Sequence, residues 1–320
     1  MGTRLADMII PDVWNDYILE KTAETNVLLN SGILANDDAI KTLANGAGEF
    51  VNMPFFQDLT GEAERGGIGF DGTALTPKKI TTQKDVAVKI FGANSWDSSD
   101  FAGLLSGAKP MEAIASRVTE FWNREKQRTL IASLGGVFAG ALSSTHVLDI
   151  SGGTGAAAVI DAGSTIDAKS LLGDKAGGLT AMAMHSATYA KLQKDQLIVY
   201  ETVANQQITI PTYLGYAVVV DDGLPVDTTN GIYTTYLFGN GAIGYADVAL
   251  GDIAVETDRD TLGGVDVLTS RSGFIMHPRG VKWAVTTANP TNADLVTDTN
   301  WGKVYEDKNI RMIAFKHKLA

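Results

Sequence analysis

The chain of 320 residues contains no cysteine. That excludes disulfides, thiolate metal sites and cysteine nucleophiles together. It has no apolar run approaching the roughly 18–20 residues that a bilayer requires. The opening Met1-Gly-Thr-Arg-Leu-Ala-Asp-Met-Ile-Ile-Pro11 places an acid and a proline where a signal peptide needs a longer apolar stretch. Asp7 also stands where a myristoylation pattern needs Ser or Thr. Positive charge is in deficit, with 26 Lys and Arg against 37 Asp and Glu and a net charge of −11. Phosphate affinity comes from clustered Lys and Arg that release counterions, so a nucleic-acid-binding protein is disfavoured. A soluble, unexported protein is expected; the acidic balance reads first as a device for solubility and second as a surface that sits beside DNA without gripping it.

Apolar residues make up 45% of the chain and charged residues 20%, ordinary values for a globular protein. The length exceeds the roughly 250–300 residues at which single cores stop growing, so two or more lobes are expected. Two alternating runs, Glu49-Phe-Val-Asn-Met-Pro-Phe-Phe56 and Ile80-Thr-Thr-Gln-Lys-Asp-Val-Ala-Val-Lys-Ile-Phe91, flank a glycine-rich tip from Thr60 to Gly72. This reads as a β-hairpin arm with almost nothing of its own to pack against. An isolated two-stranded hairpin is marginal in water, so the arm is expected to rest on a neighbouring copy.

Before the hairpin, Val13, Trp14, Tyr17 and Ile18 give a short helical face, and Ser31-Gly32 and Asn45-Gly46 read as turns. After it, Pro110 and Glu112 open the clearest helix, running towards Leu134. Met111, Ile114, Ala115, Val118, Phe121 and Trp122 form its apolar face; Gly135-Gly136 is expected to weaken it, with Val137 and Phe138 able to continue it before Gly140. Ser143 to Gly163 reads as a loop or β-excursion. A helix over Ser164–Leu172 is expected, with Ser164 or Thr165 as N-cap and Gly173 as the stop. Leu179–Met184 reads as a buried strand and Ser186–Leu197 as a helix. Further strands are expected at Tyr216–Val220, Thr234–Gly239, Val265–Met276 and Ile310–Lys316.

Signatures of chemistry are weak. Gly67, Gly69 and Gly72, and again Gly239, Gly241 and Gly244, match G-x-G-x-x-G, but no helix is expected after either, so no helix N-terminus would face a pyrophosphate. His146, His185, His277 and His317 are scattered without ligand spacing. Asp97 with Asp100, Asp221 with Asp222, and Asp258 with Asp260 read as strand-end acids, and Leu262 occupies a ligand position in the one calcium-loop-like start. Lys78-Lys79 and Lys316-His317-Lys318 read as solvated ends. No catalytic residue, cofactor or metal site is expected.

Several strings in order carry a resemblance: Leu5-Ala-Asp-Met-Ile-Ile-Pro-Asp-Val13, Asn52-Met-Pro-Phe-Phe-Gln-Asp-Leu59, Ser106-Gly-Ala-Lys-Pro-Met-Glu-Ala-Ile-Ala-Ser-Arg-Val118, Met184-His-Ser-Ala-Thr188, Pro211-Thr-Tyr213 with Val219-Val-Asp-Asp222, Tyr236-Leu-Phe-Gly-Asn-Gly-Ala-Ile-Gly-Tyr-Ala246 and His277-Pro-Arg-Gly-Val-Lys282. The chain resembles major capsid proteins of tailed bacteriophages with the Hong Kong 97 type fold, in particular those of the Bacillus siphophage SPP-one group. The resemblance implies an α+β fold with an N-arm over 1–44, an E-loop hairpin over 45–95, a P-domain with a spine helix over 96–175, an α/β A-domain over 176–270 and a P-domain return over 271–320.

The implied function is structural, without catalysis. The chain would self-assemble as hexamers and pentamers into the icosahedral shell of the virion, in the host cytoplasm, enclosing double-stranded DNA without specific binding and without a membrane. A portal protein is an implied partner, and a decoration protein is left open. With only about 45 residues before the hairpin, a separate scaffolding protein is expected rather than a fused one. Lys78, Lys79, Lys84 and Lys89 lie near where some relatives crosslink, yet Glu62, Glu64 and Arg65 occupy the tip, so a non-covalent shell is expected. Glu62, Glu64 and Arg65, with Arg117, Arg124 and Arg128 on the spine helix, are the candidate inter-subunit contacts. Two other readings are an encapsulin-type nanocompartment shell on the same fold and, in a different class, a soluble nucleotide-dependent enzyme.

Overall fold

The computed structural model describes residues 33–36, 38–59, 77–106, 109–202 and 209–320. The helical face at Val13, Trp14, Tyr17 and Ile18, the Ser31-Gly32 turn, the first glycine motif at Gly67, Gly69 and Gly72, and the tip residues Glu62, Glu64 and Arg65 lie outside them.

In chain order the elements begin with β1 (Leu34–Asn36), α1 (Asp38–Ala44), β2 (Phe50–Phe56) and β3 (Thr82–Ser99). Next come α2 (Asp100–Ser106), α3 (Pro110–Ala139), β4 (Val147–Asp149) and α4 (Ala162–Ser170). They continue with β5 (Leu179–Met184), α5 (Ser186–Lys194), β6 (Val199–Thr202), β7 (Thr209–Tyr213) and β8 (Tyr216–Val220). After these stand β9 (Val226–Asp227), β10 (Ile232–Gly239), β11 (Ile243–Asp247), β12 (Val255–Asp260) and β13 (Val265–Pro278). The last are β14 (Val281–Trp283), α6 (Asn292–Val296), β15 (Trp301–Lys303) and β16 (Met312–His317).

Two sheets carry the molecule. The first runs β1-β11-β13-β3-β2, with β12 also on β13; the second runs β4-β16-β10-β5-β8-β7-β6, with β9 on β10. The central strands of the second, β16, β10, β5 and β8, are buried on both faces and divide their side chains by the period-two rule. Ala181, Ala183, Val219, Tyr236, Phe238, Met312 and Ala314 face the core that contains Leu130, Leu134 and Phe138 of α3. Met182, Met184, Val218, Leu237, Ile313 and Phe315 face the other way, into a core with Ala168 of α4 and Leu192 of α5. The small alanines of β5 thus meet the long helix while its methionines fill the opposite layer. Phe138 stacks on Tyr236 with ring centroids 5.3 Å apart.

The long helix α3 spans 30 residues, about 45 Å at 1.5 Å per residue. It runs past Leu134 through Val137 and Phe138 to Ala139 and is capped at Gly140, the continuation that the sequence left open. Its expected apolar face is only half-buried, with Ala115 exposed, and full burial lies instead between Gln127 and Phe138. The reason is packing. Over its first half the helix rests on the first sheet through the Trp96–Phe121–Trp122 edge-to-face cluster, with Trp122 Nε1 donating to Ser270 Oγ at 2.9 Å. Lys126 then ties it to β11, donating to Tyr245 Oη at 2.8 Å and to Asp247 Oδ1 at 2.7 Å. Only the second half lies against both sheets.

Gly135-Gly136 does not end the helix, because Gly136 serves a close approach. A Cβ on Gly136 would stand 2.0 Å from the Leu295 carbonyl oxygen of α6 and 2.7 Å from Trp301 Nε1, which itself donates to that oxygen at 2.8 Å. Gly140, the C-cap, lies equally tight against the Asp298 carbonyl. The helix over 162–170 also starts earlier than expected. Asp161 is its N-cap and Ser164 is the N3 partner of a capping box, so the hydroxyl chosen from sequence is the returning half of the pair.

Replacing Gly136 by Ala is expected to cost about 1–3 kcal/mol through overpacking against backbone that cannot yield. Gly135→Ala, with nothing within 4 Å of its Cβ, is expected to stabilise by about 0.5–1 kcal/mol. Guanidinium chloride unfolding of the two variants checks this contrast.

Candidate functional site

The expected hairpin exists. β2 pairs antiparallel with β3 from Phe50↔Val88 to Phe56↔Thr82. The expectation that it lacks support of its own is corrected by its root. β3 continues to Ser99, and its residues Lys89 to Ser99 pair antiparallel with β13 from Ile275 to Val265. Ile40 and Ala44 of α1 pack on Val51, Ala87, Ala246 and Ile275, covering the point where the arm leaves the sheet.

Beyond Lys89 the arm departs from β13, whose end residues Met276, His277 and Pro278 pair with β11 instead. One buried polar contact spans the divergence. His277 Nε2 and Asp85 Oδ1 lie 2.8 Å apart, both side chains about 3% exposed. Burying such a pair costs desolvation that its hydrogen bond offsets, so losing either partner is more costly than the bond itself is worth. Nearby, Phe55 meets Tyr305 edge to face at 4.8 Å, holding the outgoing strand against the C-terminal segment.

Farther out, only β2 and β3 remain. Phe56, Leu59 and Ile80 are half to three-quarters exposed there. Apolar exposure also gathers at the far end of the first sheet, where Phe101, Leu104 and Leu105 of α2 and the fully exposed Leu262 in the β12–β13 turn face solvent. α2 is tied to that turn: Asp100 N donates to Gly264 O at 2.9 Å, and Arg259 reaches Asp100 Oδ2 at 2.7 Å and Asp266 Oδ1 at 2.6 Å.

Among the candidate contact residues, Arg117 and Arg124 line one shallow apolar groove with Trp96, Ile114, Val118 and Phe121. Arg117 pairs with Glu120 at 2.9 Å. Arg128, one turn farther on, pairs with Glu125 at 2.8 Å. The three arginines thus share one face of α3, as positions seven and four apart must. Of the four lysines in the hairpin region, Lys89 is buried and its Nζ donates to Gly46 O, while Lys78, Lys79 and Lys84 are exposed.

The groups weighed for chemistry have structural partners. Gly239 ends β10, Gly241 lies in the connection and Gly244 is in β11, a strand where a nucleotide site would need a helix. His185 caps α5, its Nδ1 accepting from Ala187 N at 3.1 Å. Asp221 accepts from Gln127 Nε2 at 2.7 Å, Asp222 from Ser186 N at 3.0 Å, and Asp260 from the amides of Leu262 and Gly263 at 3.0 Å. Among the described residues no group of three or more His, Asp or Glu could hold a metal ion. None of their helices is long and apolar enough to cross a membrane.

His317 is fully buried beside Thr235 Oγ1, at 2.9 Å, and burial pushes its imidazole down to about 4. Burial also lowers His146, against the opposing pull of the Asp307 carbonyl that faces its ring. The unfolded chain, titrating near 6.5, therefore takes up protons before the folded one does. The stability that neutral His317 contributes is complete above about pH 6.5 and is lost as pH falls towards 4. About 3 kcal/mol is at stake over that window. Unfolding midpoints between pH 7 and 4 are expected to fall less steeply in His317→Gln than in the parent.

The comparisons agree with this geometry. Residues 19–310 match the family model Gp13-like, described as major capsid protein 13-like. The chain is 40% identical to the major capsid protein of Bacillus phage SPP1, over 99% of this chain and 98% of that one. It superposes on the Cyanophage Pam1 capsid asymmetric unit with TM-score 0.64 and 12% identity, covering all of this chain and 98% of the other. The SrpI encapsulin of Synechococcus elongatus is similar in fold, with TM-score 0.60 and 6% identity over 100% and 97% of the two chains.

Proposed function

The chain belongs to the Gp13-like major capsid proteins and is a structural protein of a tailed-phage virion shell, and on that premise we propose how its limbs build that shell. Residues 45–95 act as the E-loop laid across a neighbouring copy. Residues 1–44 form the N-arm, 96–175 and 271–320 the P-domain around α3, and 176–270 the A-domain that gathers around the fivefold and sixfold axes. The carrying observation is the outer hairpin: two strands with Phe56, Leu59 and Ile80 exposed and no third strand beside them among the described residues. A sister molecule supplies the missing contact, and closed symmetry multiplies contacts that are individually weak.

Arg117, Arg124 and Arg128 on α3, together with Glu62, Glu64 and Arg65 of the tip, are the polar partners in those contacts. Subunits gather as hexamers and pentamers with a separate scaffolding protein and a portal, and the −11 charge lets packaged DNA be held without adhesion. The shell is non-covalent: Glu62, Glu64 and Arg65 rather than a lysine occupy the tip, and Lys89 is engaged inside its own subunit. The encapsulin likeness, at 6% identity, concerns the fold alone.

Electron microscopy of the protein produced with its scaffold is expected to show closed shells, and denaturing gels of those shells a single monomer band. A small soluble oligomer would refute the assembly reading; a ladder of multimers would refute the non-covalent one. Arg124→Glu is expected to reduce shell yield at least several-fold while the unassembled subunit still unfolds in a single cooperative transition.

A further inference from the structure

Among the regions with uncovered apolar side chains, two lie at opposite ends of a single strand. β3 runs without a break from Thr82 at the hairpin to Ser99, which pairs with Val265 just past the Leu262 turn. At about 3.3 Å per residue its contour is close to 60 Å. At the hairpin end, a cleft of about 960 Å³ opens between the arm and the segment 304–311. Phe55, Phe56 and Tyr305 are among its walls, and Lys78, Lys79 and Arg311 stand on it against Asp58 and Glu306. Among the described residues cations therefore outnumber anions there, three to two, in a chain whose balance is strongly acidic.

The opposite end has the converse chemistry. β12 is exposed along its whole length and carries Asp258 and Asp260 beside a Glu256 that Arg271 already pairs, and its turn presents a fully exposed leucine, Leu262. The one cation on that strand, Arg259, is already neutralised by Asp100 and Asp266. Asp260 holds the turn rigid by accepting from two of its amides, so the leucine stands on a preformed knob. An apolar tip with an acidic collar matches an aromatic cleft with a basic rim in both shape and sign.

We infer that the Leu262 turn of one copy seats in the cleft between hairpin and segment 304–311 of another. This rests on the shell-forming reading and specifies a contact within it. The contact is heterologous, plug on one end and socket on the other, so each copy can be linked at both ends and the pattern propagates until symmetry closes it. Since the two ends of one subunit are held apart by the length of β3, a chain cannot fill its own socket.

The absence of native cysteine makes the test clean. Two double variants, Leu262→Cys with Phe56→Cys and Leu262→Cys with Lys79→Cys, are assembled into shells and treated with oxidant or a short bis-maleimide. Non-reducing denaturing gels are expected to show a ladder of multimers from at least one pair, and monomer from each single variant. Shells that form normally but give no ladder from either pair overturn this contact while leaving the shell reading intact. Cross-linking of Leu262→Cys alone would mean that the tips meet one another, and overturns it too. Failure of the unaltered chain to form any shell would instead strike the assembly reading itself. Should the double variants not assemble, charge exchange decides: Lys79→Glu is expected to lower shell yield at least tenfold, and adding Asp258→Lys to restore it to within about threefold. No restoration overturns the contact.

Discussion

Strand β3 belongs to two structures at once, and the rest of the molecule is arranged around that fact. Its second half belongs to the first sheet, hydrogen-bonded to β13 over Lys89 to Ser99. Its first half leaves that sheet and pairs only with β2. A strand cannot bend freely at such a branch, because every backbone amide on the inner edge must still find a partner. Here α1 fills the wedge with Ile40 and Ala44, and the His277–Asp85 bond pins the departing strand. The hairpin is therefore a cantilever with a well-packed root and an incomplete outer span.

The same division explains the distribution of burial. The second half of α3 and the double-faced sheet β4-β16-β10-β5-β8-β7-β6 carry the stability of the single subunit, with packing tight enough that Gly136 and Gly140 have no room for a side chain. The outer hairpin, the first half of α3 and the corner of α2 with the β12–β13 turn instead leave apolar side chains exposed or half-covered. In a monomeric enzyme such exposure would be a liability; in a shell protein uncovered apolar surface is what contacts between copies can use.

Much of this architecture was legible in the residues. Leu179–Met184 and Tyr216–Val220 are strands with the bounds read from their apolar runs, and the alternation of Phe50–Phe56 against Thr82–Val88 gave the hairpin and its direction. The glycine motif at 239–244 lacks the helix of a nucleotide site, as its residues suggested, since the next element is strand β11. Boundaries slipped where a partner distant in sequence intervenes. α3 outlasts Gly135-Gly136 because α6 needs Gly136 for its close approach, and its first apolar face stays half-open because little of the subunit lies over it. Short strands such as β1 and β4 carry no pattern of their own and exist only as parallel additions to β11 and β16.

Composition and local pattern by themselves determined that the chain is an acidic, cysteine-free, mixed α and β protein with a protruding hairpin, because charge, missing thiols and period-two alternation are properties of neighbouring residues. Tertiary structure alone decided which apolar residues stay uncovered, that Asp85 meets His277 across 192 positions, and that Leu262 stands at the far end of the strand from the cleft. Those relations depend on distances through space, which a one-dimensional pattern does not contain until the sheets have closed.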